Sequence, residues 1–281
     1  YSPSTLTWNW TGTTGSPAGS VAADVEASAS QTFTNGVYTS SGGPFVLYNE
    51  SDSTPVLNLT SGFGATLGGW SVTHNSTVDF VKIHDASTAD LAHTGEMTTH
   101  SLSTDDTKQV WSHGYDEWGN YIALESVTWA GTGVLAGDVP AGPANTTTVA
   151  PSTVGSGTVT ADASGATTDD ATGTWTVTPG APVSYLVEWV STTSPVTAGA
   201  DFEIRVTAQD GDGNTATSYT GSKALAFAWT SATTAPDGTT IPKELADGNY
   251  TFSAGVFTST GGAFALYNDA DTAAYMTVSG D

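Results

Sequence analysis

Residues 32–49 read TFTNGVYTSSGGPFVLYN, and residues 251–268 read TFSAGVFTSTGGAFALYN. The match is ungapped and extends backward. Trp10-Thr11 falls on Trp229-Thr230, Pro17 on Pro236, Gly19 on Gly238 and Leu6 on Leu225, so residues 1–62 are repeated at 220–281. A fixed internal period of this kind marks an array built from one supersecondary unit.

A second register lies inside the first. Trp70-Ser71-Val72-Thr73 and Trp175-Thr176-Val177-Thr178 are each followed, five residues after the Thr, by an apolar run beginning at Val78 or Val183. Asp116-Glu117-Trp118-Gly119-Asn120 answers Asp210-Gly211-Asp212-Gly213-Asn214, and each leads to a run ending in Trp, at Trp129 and Trp229. The unit is therefore about 100 residues of short strands joined by Gly/Asn/Asp turns, the pattern of a two-sheet antiparallel sandwich. In Leu6-Thr7-Trp8-Asn9-Trp10 large apolar residues alternate with polar ones, which puts Leu6, Trp8 and Trp10 on one face of a strand. Phe202-Glu203-Ile204-Arg205-Val206 alternates in the same way.

These units divide the chain into three. Residues 1–76 form a block lacking its opening strands, 77–180 a complete sandwich, and 181–281 a block lacking its closing strand. An open sandwich exposes an unpaired edge and an apolar groove unless another strand fills it. Strand addition from a neighbouring subunit closes such a groove. The N-terminal segment, residues 1–10, is the expected donor, its knobs Leu6, Trp8 and Trp10 entering the third block of the next copy. Pairing of that segment within its own block is the alternative.

The run Pro179-Gly180-Ala181-Pro182, the strand from Val183 to Val187, Thr197-Ala198-Gly199, Phe202 to Thr207, the Asp210-to-Asn214 turn and Tyr219-Thr220-Gly221 together resemble prokaryotic immunoglobulin-like repeats of secreted and cell-surface proteins. The resemblance is best over residues 179–229 and reaches the rest through the internal repeats. It implies an Ig-like sandwich and an exposed, extracellular location; it implies no activity.

Charge narrows the function further. The 281 residues carry 28 acidic against 5 basic side chains, a formal net charge of −23. So few cations exclude a nucleic-acid binder, which must neutralise a run of phosphates, and argue against docking on an anionic membrane. No apolar run reaches the 18 residues of a membrane span. Cysteine is absent, which leaves neither disulfides nor thiolate metal sites. The chain begins with Tyr1, and an N-terminal segment removed by processing is one reading of that.

Candidate chemistry is sparse. Asp210, Asp212 and Asn214 have the spacing that opens a calcium loop, but Thr215 stands where glycine is required and Gly221 where the loop needs a glutamate. A hairpin turn is the plainer reading. The acidic pairs Glu50/Asp52 and Asp269/Asp271 read likewise as turns. The five histidines, His74, His84, His93, His100 and His113, lack any compact ligand spacing. No nucleophile elbow is present, and the adjacent carboxylates Asp105-Asp106 and Asp169-Asp170 point to opposite faces in a strand. No cofactor is implied, and an enzyme is not expected. Lys82 lies in an expected strand, where a nearby Asp and a second acid would make a covalent cross-link conceivable; the sequence does not place such a trio. Six Asn-x-Ser/Thr sequons, at Asn9, Asn49, Asn58, Asn75, Asn145 and Asn249, suit surface glycans.

The functional expectation is a structural subunit of an extracellular filament or pilus, glycosylated and joined head to tail with copies of itself by strand complementation. A surface adhesin or glycan-binding stalk, and a segment of a longer Ig-like array, are the alternatives.

Overall fold

The computed structural model describes residues 4–17, 22–25, 29–31, 33–34, 37–40, 43, 45–60, 65–88, 94–165, 167–190 and 194–280. The chain is all-β, a tandem of Ig-like antiparallel sandwiches. Its one helical element among the described residues is a 3-10 turn at Gly133–Leu135.

The sandwich drawn from residues 80–178 has two faces. One carries Thr146–Val149, Lys108–Tyr115 and Phe80–His84, and the other Pro143–Ala144, Val127–Gly131, Val159–Asp162 and Asp170–Ala171. The strand Trp175–Thr178 pairs antiparallel with Gly155–Gly157 and parallel with His100–Ser103. The parallel contact joins the sandwich's last strand to its second, each supplying the other's free N–H and C=O groups. Alternation along Trp175–Thr178 turns Trp175 and Val177 inward, where they are 0% and 1% exposed among Ile83, Val110 and Trp129.

The second core belongs to residues 185–278. Ser184–Trp189, Ile204–Gln209 and Val256–Thr258 form one sheet; Gly248–Phe252, Gly221–Thr230 and Tyr275–Gly280 form the other. Phe202, Phe227, Phe252 and Phe264 fill the space between, each no more than 4% exposed. No described residue here plays the part that Trp175–Thr178 plays in the preceding sandwich.

In residues 1–76 the sheet is Trp8–Thr11, Val56–Leu59 and Ala65–Leu67, with Ser4–Leu6 paired to Ala29–Gln31. The 219-residue period holds at the level of register: Trp10 faces Leu57 across the ladder as Trp229 faces Met276. The expected free donor strand does not match this arrangement. Leu6 is 5% exposed, and Trp8–Thr11 is hydrogen-bonded to Val56–Leu59 of its own block. An intact ladder must be broken before that strand can be given away, so the alternative weighed for it, pairing at home, is the one the structure shows. Residues 1–3 lie outside the described residues.

The closing strand sets a test of the middle core. Trp175→Ala removes a fully buried indole, a loss of about 3–5 kcal/mol. Urea unfolding of the variant is expected to show a transition at markedly lower denaturant, and an unchanged midpoint would mean that Trp175 does not hold this core.

Candidate functional site

The residues singled out in the Asp-x-x-Gly-Asn turns do one job twice. Gly119 and Gly213 occupy the same place in each turn, with φ of 90° and 85° that a side chain resists. That left-handed step lets the chain curl around the first Asp. The N–H of Asp210 donates to the carbonyl of Asn214, and that of Asp116 to the carbonyl of Asn120. The Oδ1 of Asp210 accepts the N–H groups of Asp212 and Asn214 at 3.1 and 2.8 Å, while its Oδ2 accepts Thr104 Oγ1 at 2.7 Å and the Gly180 N–H at 3.0 Å. Asn214 Nδ2 bridges to the carboxylate at 3.1 and 3.2 Å and reaches the carbonyl of Ser152 at 3.0 Å. Thr104 and Ser152 belong to the preceding sandwich, so the turn locks two domains together.

The other junction repeats this. Asp116 Oδ1 accepts the N–H groups of Trp118 and Asn120 at 3.0 and 2.9 Å, and its Oδ2 accepts the N–H of Asn75 at 2.9 Å. Asn120 Nδ2 donates to the carbonyl of Tyr48 at 3.0 Å, and Glu50 N–H donates to Asn120 Oδ1 at 3.0 Å. The Tyr48 ring lies 4.3 Å from that of Trp118. Asp116, Asn120 and Asp210 are all at most 2% exposed. A buried carboxylate needs donors on both oxygens, and here donors from two domains supply them.

This answers the calcium reading of Asp210, Asp212 and Asn214. The carboxylate is surrounded by N–H and O–H donors, the surroundings of an anion rather than of a cation's ligand. Burial alone would raise its pKa, but the Thr104 hydroxyl, the Gly180 N–H and the Asn214 amide outweigh that and hold it at about 2.

The acidic pairs have a matching explanation. Asp52 accepts the N–H and Oγ1–H of Thr14 at 2.9 and 2.7 Å; Asp271, 219 residues on, accepts those of Thr233 at 2.9 and 2.6 Å. Asn49 and Asn268 brace the same loops, each through Nδ2 to a Thr hydroxyl at 2.8 Å. Asn49 is therefore a correction among the sequons. It is 8% exposed, with Nδ2 also given to the Gly15 carbonyl at 2.9 Å, which leaves no room for a glycan. Asn58 is half-buried, its Nδ2 donating to Thr11 Oγ1 at 3.0 Å. Asn9, Asn75, Asn145 and Asn249 are exposed.

Lys82, Glu96 and Asp170 do converge: Lys82 Nζ is 2.9 Å from Glu96 Oε1 and 3.3 Å from Asp170 Oδ1. Burial would lower the lysine's pKa, but the Glu96 hydrogen bond and the charges of Asp170 and Glu96 raise it. An ammonium is not a nucleophile, so the trio is an ion pair linking neighbouring strands. Of the histidines, His84 and His113 stack at 4.2 Å inside the middle domain, His84 Nε2 lies 2.9 Å from the Tyr115 hydroxyl, and His113 Nε2 donates to the Ala86 carbonyl at 2.9 Å. His93 lies outside the described residues. Among the described residues no three His, Cys, Asp or Glu gather as metal ligands, and no helix is long and apolar enough to cross a membrane.

A second feature is an open groove in the domain of residues 181–281. It encloses about 620 Å³ over an apolar floor of Val187, Phe202, Ile204, Trp229 and Met276, between the 194–198 segment and Leu266. Sequence reasoning expected an apolar groove in this block. It missed the clasps, since a turn motif does not reveal what its far side touches.

Two outcomes follow for the clasps. Asp210 has an ordinary pKa of 3.8 in the unfolded chain and about 2 when folded. Its depressed value stabilises the junction above pH 3.8, and that contribution is lost as pH falls towards 2. Small-angle scattering from pH 5 to pH 2 is expected to show the domains loosening in that lower window, with Asp210→Ala already loose at pH 7. Glycopeptide mapping of native material is expected to find Asn49 unmodified, whatever the occupancy of Asn9, Asn75, Asn145 and Asn249.

No protein-family model and no curated protein matches this chain. Among solved structures, the Escherichia coli adhesin FdeC is similar with a TM-score of 0.33 and 20% identity, over 76% of this chain and 65% of that one. Bacteroides uniformis beta-glucuronidase 3 and Parabacteroides merdae beta-glucuronidase each give a TM-score of 0.23, at 13% and 12% identity, over 72% of this chain and 23% of theirs. The chain thus spans less than two thirds of the length of any of them. The fold assignment rests on the ladders described above, not on these likenesses.

Proposed function

We propose that this chain is a structural, non-catalytic segment of an extracellular surface filament or stalk, in which Ig-like domains are held end to end by repeated carboxylate clasps. The observation that carries this reading is the recurrence of one clasp at both junctions, with Asp116 and Asn120 at the first and Asp210 and Asn214 at the second. A flexible linker costs nothing to leave alone. Burying a carboxylate at each joint fixes the angle between neighbours, which serves a part that must transmit force or hold a distance. The acidic surface, with a net charge of −23, keeps such a rod soluble and discourages side-by-side clumping.

In the filament form of this reading, copies of the chain join head to tail, and a heterologous contact of that kind propagates without closing.

Rigidity is measurable. The chain has no Cys, so spin labels at Thr66→Cys and Ser222→Cys, both on exposed positions, report a single distance by pulsed electron resonance. A narrow distribution is expected, broadening in the Asp116→Ala/Asp210→Ala double variant. Equal breadth in both proteins would remove the clasps as the source of stiffness and with them the support for a rod.

A further inference from the structure

We propose that the stacked pair His84–His113 is an acid-sensitive latch of the middle domain, shut at neutral pH and releasing the backbone that covers it below about pH 6.

Strand alternation places the pair. Along Phe80–His84, Val81 and Ile83 enter the core, so Phe80, Lys82 and His84 share the opposite face. Along Lys108–Tyr115, Val110 enters the core, which puts Trp111, His113 and Tyr115 on that same outward face. The register sets Lys82 opposite His113 and His84 opposite Trp111, so the two histidines are diagonal neighbours. The outward face of an antiparallel sandwich is normally wet, yet His84 and His113 are 1% and 0% exposed.

The cover is local and thin. The chain doubles back after His84: the Asp85 N–H donates to the Gly95 carbonyl at 3.2 Å, the Met97 N–H to the Ile83 carbonyl at 2.7 Å, and His84 bridges to Glu96. His113 Nε2 holds the Ala86 carbonyl at 2.9 Å. On the other side Tyr121–Leu124 pairs with the end of the His113 strand, and the Tyr121 ring lies 5.1 Å from that of His113. The two imidazoles are 4.2 Å apart and 15° from parallel, and Phe80 stacks on Tyr115 beside them.

Such a site accepts neutral rings and resists charged ones. A proton on either imidazole puts a cation out of reach of water, and a second proton sets two like charges one ring-stack apart. The surrounding charges offer little relief. Lys82, on the strand of His84, is itself a cation and already takes up Glu96 and Asp170. Asp85 is exposed, Lys108 lies at the far end of the His113 strand, and Glu125 follows Tyr121–Leu124. Tyr115 and Tyr121 stay uncharged throughout the acid range. Once the cover lifts, the rings meet water and take up protons as ordinary imidazoles do, near pH 6.5. The closed form therefore binds fewer protons than the open one, so its stability is full above that pH and falls as pH drops through it. This window lies above the one in which Asp210 is protonated, so the cover lifts before the second clasp weakens.

The test is amide hydrogen exchange on the full chain by NMR, corrected for the intrinsic rate at each pH. Protection of the Asp85 and Met97 amides is expected to fall about tenfold or more between pH 7 and pH 5, while the Phe202 amide, bonded to Phe264 in the third domain, holds its protection. The double variant His84→Phe/His113→Gln keeps a flat ring and an amide donor for the Ala86 carbonyl and is expected to lose this pH dependence; His93→Gln and His100→Gln are expected to keep it. A second readout needs no variant: the ring signals of His84 and His113 should hold their neutral positions until Asp85 and Met97 lose protection, whereas exposed His74 titrates near pH 6.5. Equal protection at both pH values, ring titration without loss of protection, or a pH dependence that survives the double variant or vanishes with His93→Gln or His100→Gln would each overturn the proposal.

Discussion

A buried carboxylate that cannot be satisfied by its own domain is the constraint on which the tandem depends. Asp116 and Asp210 each close a five-residue turn with Oδ1 and share Oδ2 between the Asn amide of that turn and the polypeptide that arrives from the preceding domain. Docking takes that oxygen out of water, and the donors from the preceding domain replace the water it gives up; without them a buried acceptor would lose about 1–3 kcal/mol, more for a charge. The turn and the junction are therefore one object. The local fold favours the docked arrangement because docking completes a requirement that folding created.

The same logic of completion governs the sandwiches. Two sheets facing one another leave an edge, and in the middle domain Trp175–Thr178 closes it by pairing with a strand on either side. Its Trp fills the space between the sheets while its Thr residues face out. Where that strand has no counterpart among the described residues, the floor of the slot remains apolar and the cavity open.

Much of this was legible in the residues, and some was misread for a definite reason. Period-two alternation fixed which faces of Leu225-Ala226-Phe227-Ala228-Trp229 turn inward, and Leu225 and Phe227 are 2% and 4% exposed. The same alternation made residues 1–10 look like a donor, because a strand with three large knobs reads alike whether its partner is near or in another molecule. Asn49 carried a sequon indistinguishable from that of Asn9. Only the loop folding back onto Thr14 and Gly15 reveals that its amide is already used.

By itself, then, the sequence determined the all-β class, the hundred-residue unit, the 219-residue repeat and the turns that need glycine at residues 119 and 213. These follow from local rules: side-chain alternation, backbone freedom and self-similarity are properties of neighbouring residues. The tertiary structure alone decided what each turn holds, which amides are spoken for, and that Lys82 meets Glu96 and Asp170 across 14 and 88 residues of chain. Those are contacts between distant segments, and their existence depends on the register and packing of whole sheets, which no local pattern encodes.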